Sequence, residues 1–225
     1  SSSTREDQRT ASAAGIFATV LDVRTEAKLF DAVRECVASI FAPAVLSYLT
    51  SGRARPERTA MGVIVQALVP AETSGVLFTL NPLTGDATEV VVNATYGLGS
   101  ALVDGRVSPD TYRLEKATGR LRDRVVGDKQ TRVVLGPEGT REEDVAIEDR
   151  TRPALDEALL HELVSLARRI ETHFEDARDV EWAAVGSRVY VLQARPITAN
   201  QGAPRTGPRR KTPSIDRSRI VWSNV

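Results

Sequence analysis

The sequence is short of several things, and each shortage removes a class of protein. Its one cysteine, Cys36, cannot form an intramolecular disulfide, so a disulfide-stapled secreted scaffold is excluded. No apolar run approaches the roughly 18 residues that a membrane helix needs. No basic-then-apolar leader opens the chain, and the simplest expectation is a cytoplasmic protein with no membrane partner. Net charge is also missing: 30 Lys and Arg stand against 30 Asp and Glu, which argues against nucleic acid as the partner. An initiator methionine is lacking too, since the chain opens SSSTRED and its one methionine is Met61; the start reads as cut, processed or truncated. What remains, 225 residues with 41% hydrophobic and 27% charged side chains, has the composition of a soluble globular protein with one large domain or two small ones.

Hydrophobic spacing divides the chain. From Thr25 to Leu49, Leu29, Phe30, Val33, Cys36, Val37, Ile40 and Phe41 recur at three- and four-residue intervals, predicting a helix with one buried stripe that Pro43 breaks or restarts. The period then shortens. Residues 61–69, 75–80, 88–93, 111–115 and 121–126 are brief, valine-rich and bounded by Pro, Gly and Asn, as antiparallel strands are. A second helix is predicted over 155–174, burying Leu159, Leu160, Leu163, Leu166, Ala167 and Ile170. Residues 179–184 and 188–194 form a predicted hairpin around Val185, Gly186 and Ser187. Strands in runs with few helices predict an α+β fold, an antiparallel sheet with packed helices. Residues 199–219 carry six basic residues against one acidic, Asp216, among Pro, Gly and Ser, which is linker composition. IVWSNV, 220–225, reads as the start of a following module.

The hairpin DVEWAAVGSRVYVLQARPIT carries the most chemistry. Alternation places Gln193 and Arg195 on one face with Val189 and Val191, and a three-residue turn over 185–187 sets Glu181 across from Val191 and diagonal to Gln193. A carboxylate, an amide and a guanidinium on one face suit a metal-bound polyphosphate, with Glu181 holding Mg²⁺, the cation bridging phosphate oxygens and Arg195 neutralising charge. The same row is equally read as a sheet face turned to water. Gly97 and Gly99, ahead of a short helical stretch, could admit phosphate to backbone amides, although a tight turn packed on the sheet is the plainer reading. Gly15 to Thr19 forms either a phosphate-covering loop or a flexible connection.

Taken together, SSSTRED, ASAAGIFATVLDV, VIVQALVPAETSGVLFTLNPLTG, NATYGLGS, GRVSPDTY, VGDK and DVEWAAVGSRVYVLQARPIT resemble the ATP-binding domain of the phosphoenolpyruvate synthase, pyruvate phosphate dikinase and rifampicin phosphotransferase family, an ATP-grasp fold. The resemblance covers residues 1–198, and implies a partial ATP-grasp domain whose first lobe is largely missing. It implies ATP and Mg²⁺ as cofactors. Gln66 matches a glutamine beside the nucleotide, Gly15 and Thr19 match residues covering the phosphates, Glu181 matches an ATP and metal contact, and Gln193 and Arg195 match phosphate-side contacts, with Gln193 as a second metal ligand, Arg195 as the catalytic cation and Asp179 as an outer carboxylate. The family reaction, ATP phosphorylating a carrier histidine on a swivelling domain that serves a distant acceptor domain, implies an ATP-dependent phosphotransferase of the dikinase type. Both partner domains would lie beyond Val225, and the 225-residue chain alone would be inactive. His161 and His173 fall within the second helix, outside any glycine-rich setting like that of the carrier.

Two departures favour an alternative. Ile16 replaces the glutamine that usually follows the loop glycine, and Ser100 replaces the glutamate of the GLGE segment. A degenerate, noncatalytic module kept as an interaction or regulatory domain is therefore the second reading. A glucan-phosphorylating relative is a third, without any carbohydrate-specific feature behind it.

Overall fold

The computed structural model describes residues 17–43, 45, 61–103, 105–137 and 139–197, and before them only the backbone of Ser2–Ser3, Asp7–Gln8 and Ala11–Ser12. Gly15, Ile16, the side chains of SSSTRED and the expected segments 199–219 and 220–225 lie outside the described residues.

The chain is mixed α/β, built on one six-stranded antiparallel sheet. In chain order the elements are α1 (Glu26–Ala38), β1 (Thr73–Phe78), β2 (Glu89–Tyr96), α2 (Ser100–Val103), β3 (Asp110–Glu115), β4 (Leu121–Val125), β5 (Thr131–Gly136), β6 (Gly139–Asp144), α3 (Ile147–Arg150), α4 (Glu157–Phe174), β7 (Arg178–Val185) and β8 (Arg188–Pro196). The sheet runs β8-β7-β1-β2-β3-β4, while β5 and β6 pair separately.

Alternation along the strands divides the sheet into two faces. Val90, Val92 and Ala94 of β2, Tyr112 and Leu114 of β3, and Val180, Trp182 and Ala184 of β7 point one way and are buried against α4. The helix answers with Leu160, Leu163, Val164, Ala167 and Ile170, spaced at three and four residues. Asp156 opens α4 by accepting the Leu159 amide at 2.8 Å, and Glu175 closes it in the left-handed region. On the opposite face a smaller cluster of Ala71, Leu98, Ala101, Val107, Val133 and Ala183 is flanked by Val69, Leu135 and Leu192. Gly75 of β1 packs tightly against β2, and a Cβ there would run into the Asn93 carbonyl oxygen.

A buried ion pair ties these parts together. Lys129 and Asp110 are both fully buried, with Nζ 2.5 Å from Oδ1. Asp110 also accepts from the Gly127 amide (2.9 Å), the Tyr112 hydroxyl (3.0 Å) and the Ala154 amide (2.6 Å). One carboxylate thereby joins β3, the β4–β5 connection and the approach to α4.

Several expectations change. The first helix ends at Ala38 and passes into a 3-10 turn, Ser39–Phe41, so it stops ahead of Pro43, where helical backbone begins again. Its stripe is not fully covered either: Cys36 is buried, but Phe30, Val37 and Phe41 are exposed. Residues 63–70 form no strand despite their valine-rich run, and only Met61–Gly62 pairs, with Ser2–Ser3. Strands β5 and β6 had no counterpart in the expected pattern, because TRVVLG and GTREED show little alternation.

Candidate functional site

The β7–β8 hairpin is set by a tighter turn than the sequence suggests. Val185 pairs with Arg188, so Gly186 and Ser187 alone form the loop, with Gly186 in the left-handed region. Farther along, the register slips: Trp182 pairs with Val191 but Glu181 pairs with Gln193, leaving Leu192 as the extra residue of a bulge. The expected pairing of Glu181 with Val191 is therefore wrong. So is the expected face shared by Gln193, Arg195, Val189 and Val191. Val189 and Ala194 pack with the α4 cluster, whereas Leu192 packs with the opposite one, and the bulge turns Gln193 and Arg195 to the face of Glu181.

The outcome is a closer convergence than simple alternation provides. Glu181 lies directly across from Gln193, and Asp179 directly across from Arg195. Arg195 Nη2 donates to Glu181 Oε1 at 2.7 Å. With its amide turned so that the carbonyl oxygen faces the guanidinium, Gln193 accepts from Arg195 Nη2 at 2.5 Å and Nε at 2.9 Å. Three polar side chains from two strands thus form one hydrogen-bonded group, with Asp179 beside it across from Arg195. Glu181, Asp179 and Arg195 are half-buried and Gln193 is exposed.

Asp179 is the strained member. Its Oδ1 is buried without a hydrogen-bond partner among the described residues. Burial pushes its carboxyl up to about 6; Arg195 opposes the shift and the neighbouring Glu181 carboxylate adds to it. An underpaired carboxylate beside a second carboxylate is an arrangement that a cation or a second donor relieves. No group of three or more His, Cys, Asp or Glu side chains suited to a metal occurs among the described residues. Two carboxylates fit Mg²⁺ nonetheless, since that ion takes one or two from protein and fills its octahedron from phosphate and water.

From this group the face runs across the sheet through Val76 to Asn93 and Thr111, the last two joined by a 2.9 Å hydrogen bond. Along β1, toward Glu72, lies a recess of about 320 Å³ lined by Pro70, Ala71, Glu72, Gly97, Leu98 and Leu135 among others. Val76, the partner of Glu181, is four residues from Glu72, or about 13 Å at strand rise.

The remaining candidates scatter. Gly15 lies outside the described residues, Thr19 is exposed just ahead of α1, and Gln66 is exposed in the unpaired run before Pro70. Gly97 serves the fold: its amide donates to Glu72 O and the next one, of Leu98, to Val133 O, both at 2.8 Å, so neither of these two amides is open to phosphate. Gly97 takes a left-handed conformation, and a Cβ on it would meet the Val133 carbonyl oxygen. Ser100 opens α2, half-buried. His161 and His173 are exposed on α4. The pairing of Asp110 with Lys129 is not legible in the sequence, because an isolated acidic and an isolated basic residue carry no mark that they will be buried together.

A family model, the AMP/ATP-binding domain of pyruvate phosphate dikinase, matches residues 1–213. The chain is 37% identical over 198 residues to a probable phosphoenolpyruvate synthase of Methanothermobacter thermautotrophicus, covering 88% of this chain and 29% of that protein. It is 34% identical over 207 residues to the phosphoenolpyruvate synthase of Pyrococcus furiosus, covering 88% and 25%. To the rifampicin phosphotransferase of Streptomyces sviceus it is 38% identical over 199 residues, covering 88% and 23%. The chain therefore spans less than a third of the length of these relatives. No helix among the described residues is long and apolar enough to cross a membrane. On the extent of these matches, the chain belongs to the pyruvate phosphate dikinase AMP/ATP-binding domain family.

Proposed function

We propose that the chain is the ATP-binding module of a dikinase-type phosphotransferase, an ATP-grasp domain that holds ATP on the Glu181 face of the β7–β8 hairpin. The observation that carries this reading is the hydrogen-bonded group of Glu181, Gln193 and Arg195, with the underpaired Asp179 beside it. Arg195 is poised to exchange Glu181 for a phosphate oxygen, trading one charge-assisted contact for another. Glu181 and Asp179 are the carboxylates that would hold Mg²⁺, and the Gln193 carbonyl becomes available to it once the guanidinium turns to phosphate. Such a cation would offset charge on the transferred phosphoryl group. The recess near Pro70 and Leu98 takes the nucleoside end, and its separation from Glu181 matches the reach of a nucleoside triphosphate. Gln66, four residues ahead of Pro70, then lies on the nucleoside side, while Gly15 and Thr19 belong to the segment that covers the phosphates.

The phosphoryl group passes to a histidine on another domain of the parent polypeptide, in the manner of a phosphoenolpyruvate synthase, and from there to an acceptor. One observation favours a reduced module instead: Ser100 stands where a third carboxylate would. Two carboxylates suffice for Mg²⁺, so the binding reading is preferred. Titration with Mg²⁺·ATP followed by amide chemical shifts, which register affinities into the millimolar range, tests it. The expected result is shifts centred on β7 and β8 that weaken in Glu181→Gln and Arg195→Gln. Unaltered affinity in both variants would remove the site.

A further inference from the structure

The segment bearing Thr19 is held at both ends. At its start, the final turn of α1 takes both polar groups of the Ala18 backbone: the amide donates to Ser39 Oγ at 3.1 Å, and the carbonyl accepts from Cys36 Sγ at 3.4 Å. Ser39 is itself fixed, donating to Cys36 O at 2.6 Å. At its end, Arg24 forks across to the β5–β6 hairpin, with Nη1 on Pro137 O at 2.6 Å and Nη2 on Gly136 O at 2.5 Å. The third donor, Nε, lies 2.6 Å from Asp22 Oδ1. The Asp22 side chain is only 9% exposed and its backbone is left-handed, a conformation few non-glycine residues adopt. The carboxylate thus aims the guanidinium, and the guanidinium reaches more than 100 residues along the chain.

What Arg24 grips is connected to the candidate site. Gly136 follows Leu135, and Leu135 and Leu192 both pack against the cluster that contains Ala183, on the same side of the sheet as Glu181. Leu192 is the bulge residue that turns Gln193 to that face. Exposed Thr19 lies between the two anchors, one residue after Ala18, which Ser39 holds, and five before Arg24.

From this we infer that Arg24, aimed by Asp22, is a positioning residue that acts through Thr19: it fixes the phosphate-covering segment relative to the face carrying Glu181 and Arg195. The inference rests on the ATP-binding reading above. Guanidinium geometry is required, because a lysine ammonium cannot serve two carbonyls and a carboxylate in one plane.

The test uses the 225-residue chain, with Mg²⁺·ATP and adenosine as separate probes followed by amide shifts. Arg24→Lys and Asp22→Asn are each expected to raise the dissociation constant for ATP about three- to tenfold, the worth of one or two lost hydrogen bonds, and to leave adenosine binding unchanged. Thr19→Val is expected to cause a similar loss, and Arg24→Lys added to Thr19→Val to cause no further one, since both act through the same contact. ATP affinity unaltered by Arg24→Lys and Asp22→Asn, while Glu181→Gln still weakens it, overturns the inference alone. Equal losses for ATP and adenosine also overturn it, making the clamp a matter of stability only. An unmodified chain that binds no ATP overturns the binding reading and the inference together.

Discussion

Replacing Lys129 with methionine probes the part of the fold whose energetics are clearest. The substitution keeps the length and apolar stem of the side chain and removes only its charge and donors, so no large cavity forms. Asp110 then keeps three neutral donors, Gly127 N, Tyr112 OH and Ala154 N, but loses the one cation on a fully buried carboxylate. Breaking a buried pair from one side costs about 3–5 kcal/mol. For a chain of this length each kcal/mol moves the melting temperature by about 2–4 °C, so Lys129→Met should melt on the order of 10 °C lower. The partner substitution sharpens the test. Asp110→Asn combined with Lys129→Met removes the unpaired charge and should recover part of the loss, giving a double-mutant coupling well above what measurement error allows. Melting by far-UV circular dichroism, checked by urea unfolding, reads both. A loss below about 1 kcal/mol for Lys129→Met would refute the claim that this pair is buried and tightly coupled.

Three further outcomes follow from particular residues. In metal-free buffer, Asp179, with its folded value raised from 3.8 to about 6, binds more protons folded than unfolded between those values, so stability should fall as pH rises through that window. Asp179→Asn should flatten this dependence and raise the melting temperature at pH 7.5, the effect being reduced by the partial exposure of the group; a lower melting temperature would contradict it. Gly97→Ala, which must place a Cβ against Val133 O at positive φ, should cost more than about 1 kcal/mol in urea unfolding. Asp156→Ala removes the α4 cap and should cost about 1 kcal/mol by the same assay.

The sequence makes some features legible and others not, for identifiable reasons. The face of α4 and strand β3 announce themselves because one side of each is buried, and burial imposes a period, whereas β2, buried on both sides, shows instead as an unbroken valine run. TRVVLG and GTREED pair as β5 and β6 with mostly half-exposed side chains, so no period marks them. Residues 63–70 mislead in the opposite direction: valine-rich chemistry favours a strand, yet a strand also needs a neighbour, and among the described residues it has none beyond Met61–Gly62. At the candidate site, the residue types Glu181, Gln193 and Arg195 were readable, but their direct opposition was not. That depends on a two-residue turn and on the bulge at Leu192, and a one-residue slip exchanges the faces of everything beyond it. Arg24 was unreadable altogether, since its partners are backbone carbonyls more than 100 residues away, and a carbonyl leaves no trace in sequence.

A crystal of the chain grown with Mn²⁺ and a nonhydrolysable ATP analogue, measured at the manganese absorption edge, tests the central proposal most directly. The account predicts an anomalous peak within coordination distance, about 2.0–2.3 Å, of carboxylate oxygens from Glu181 and Asp179, with the Arg195 guanidinium moved off Glu181 onto a phosphate oxygen. A nucleotide bound elsewhere, or one bound with the Arg195–Glu181 contact still closed and no manganese beside it, would contradict it.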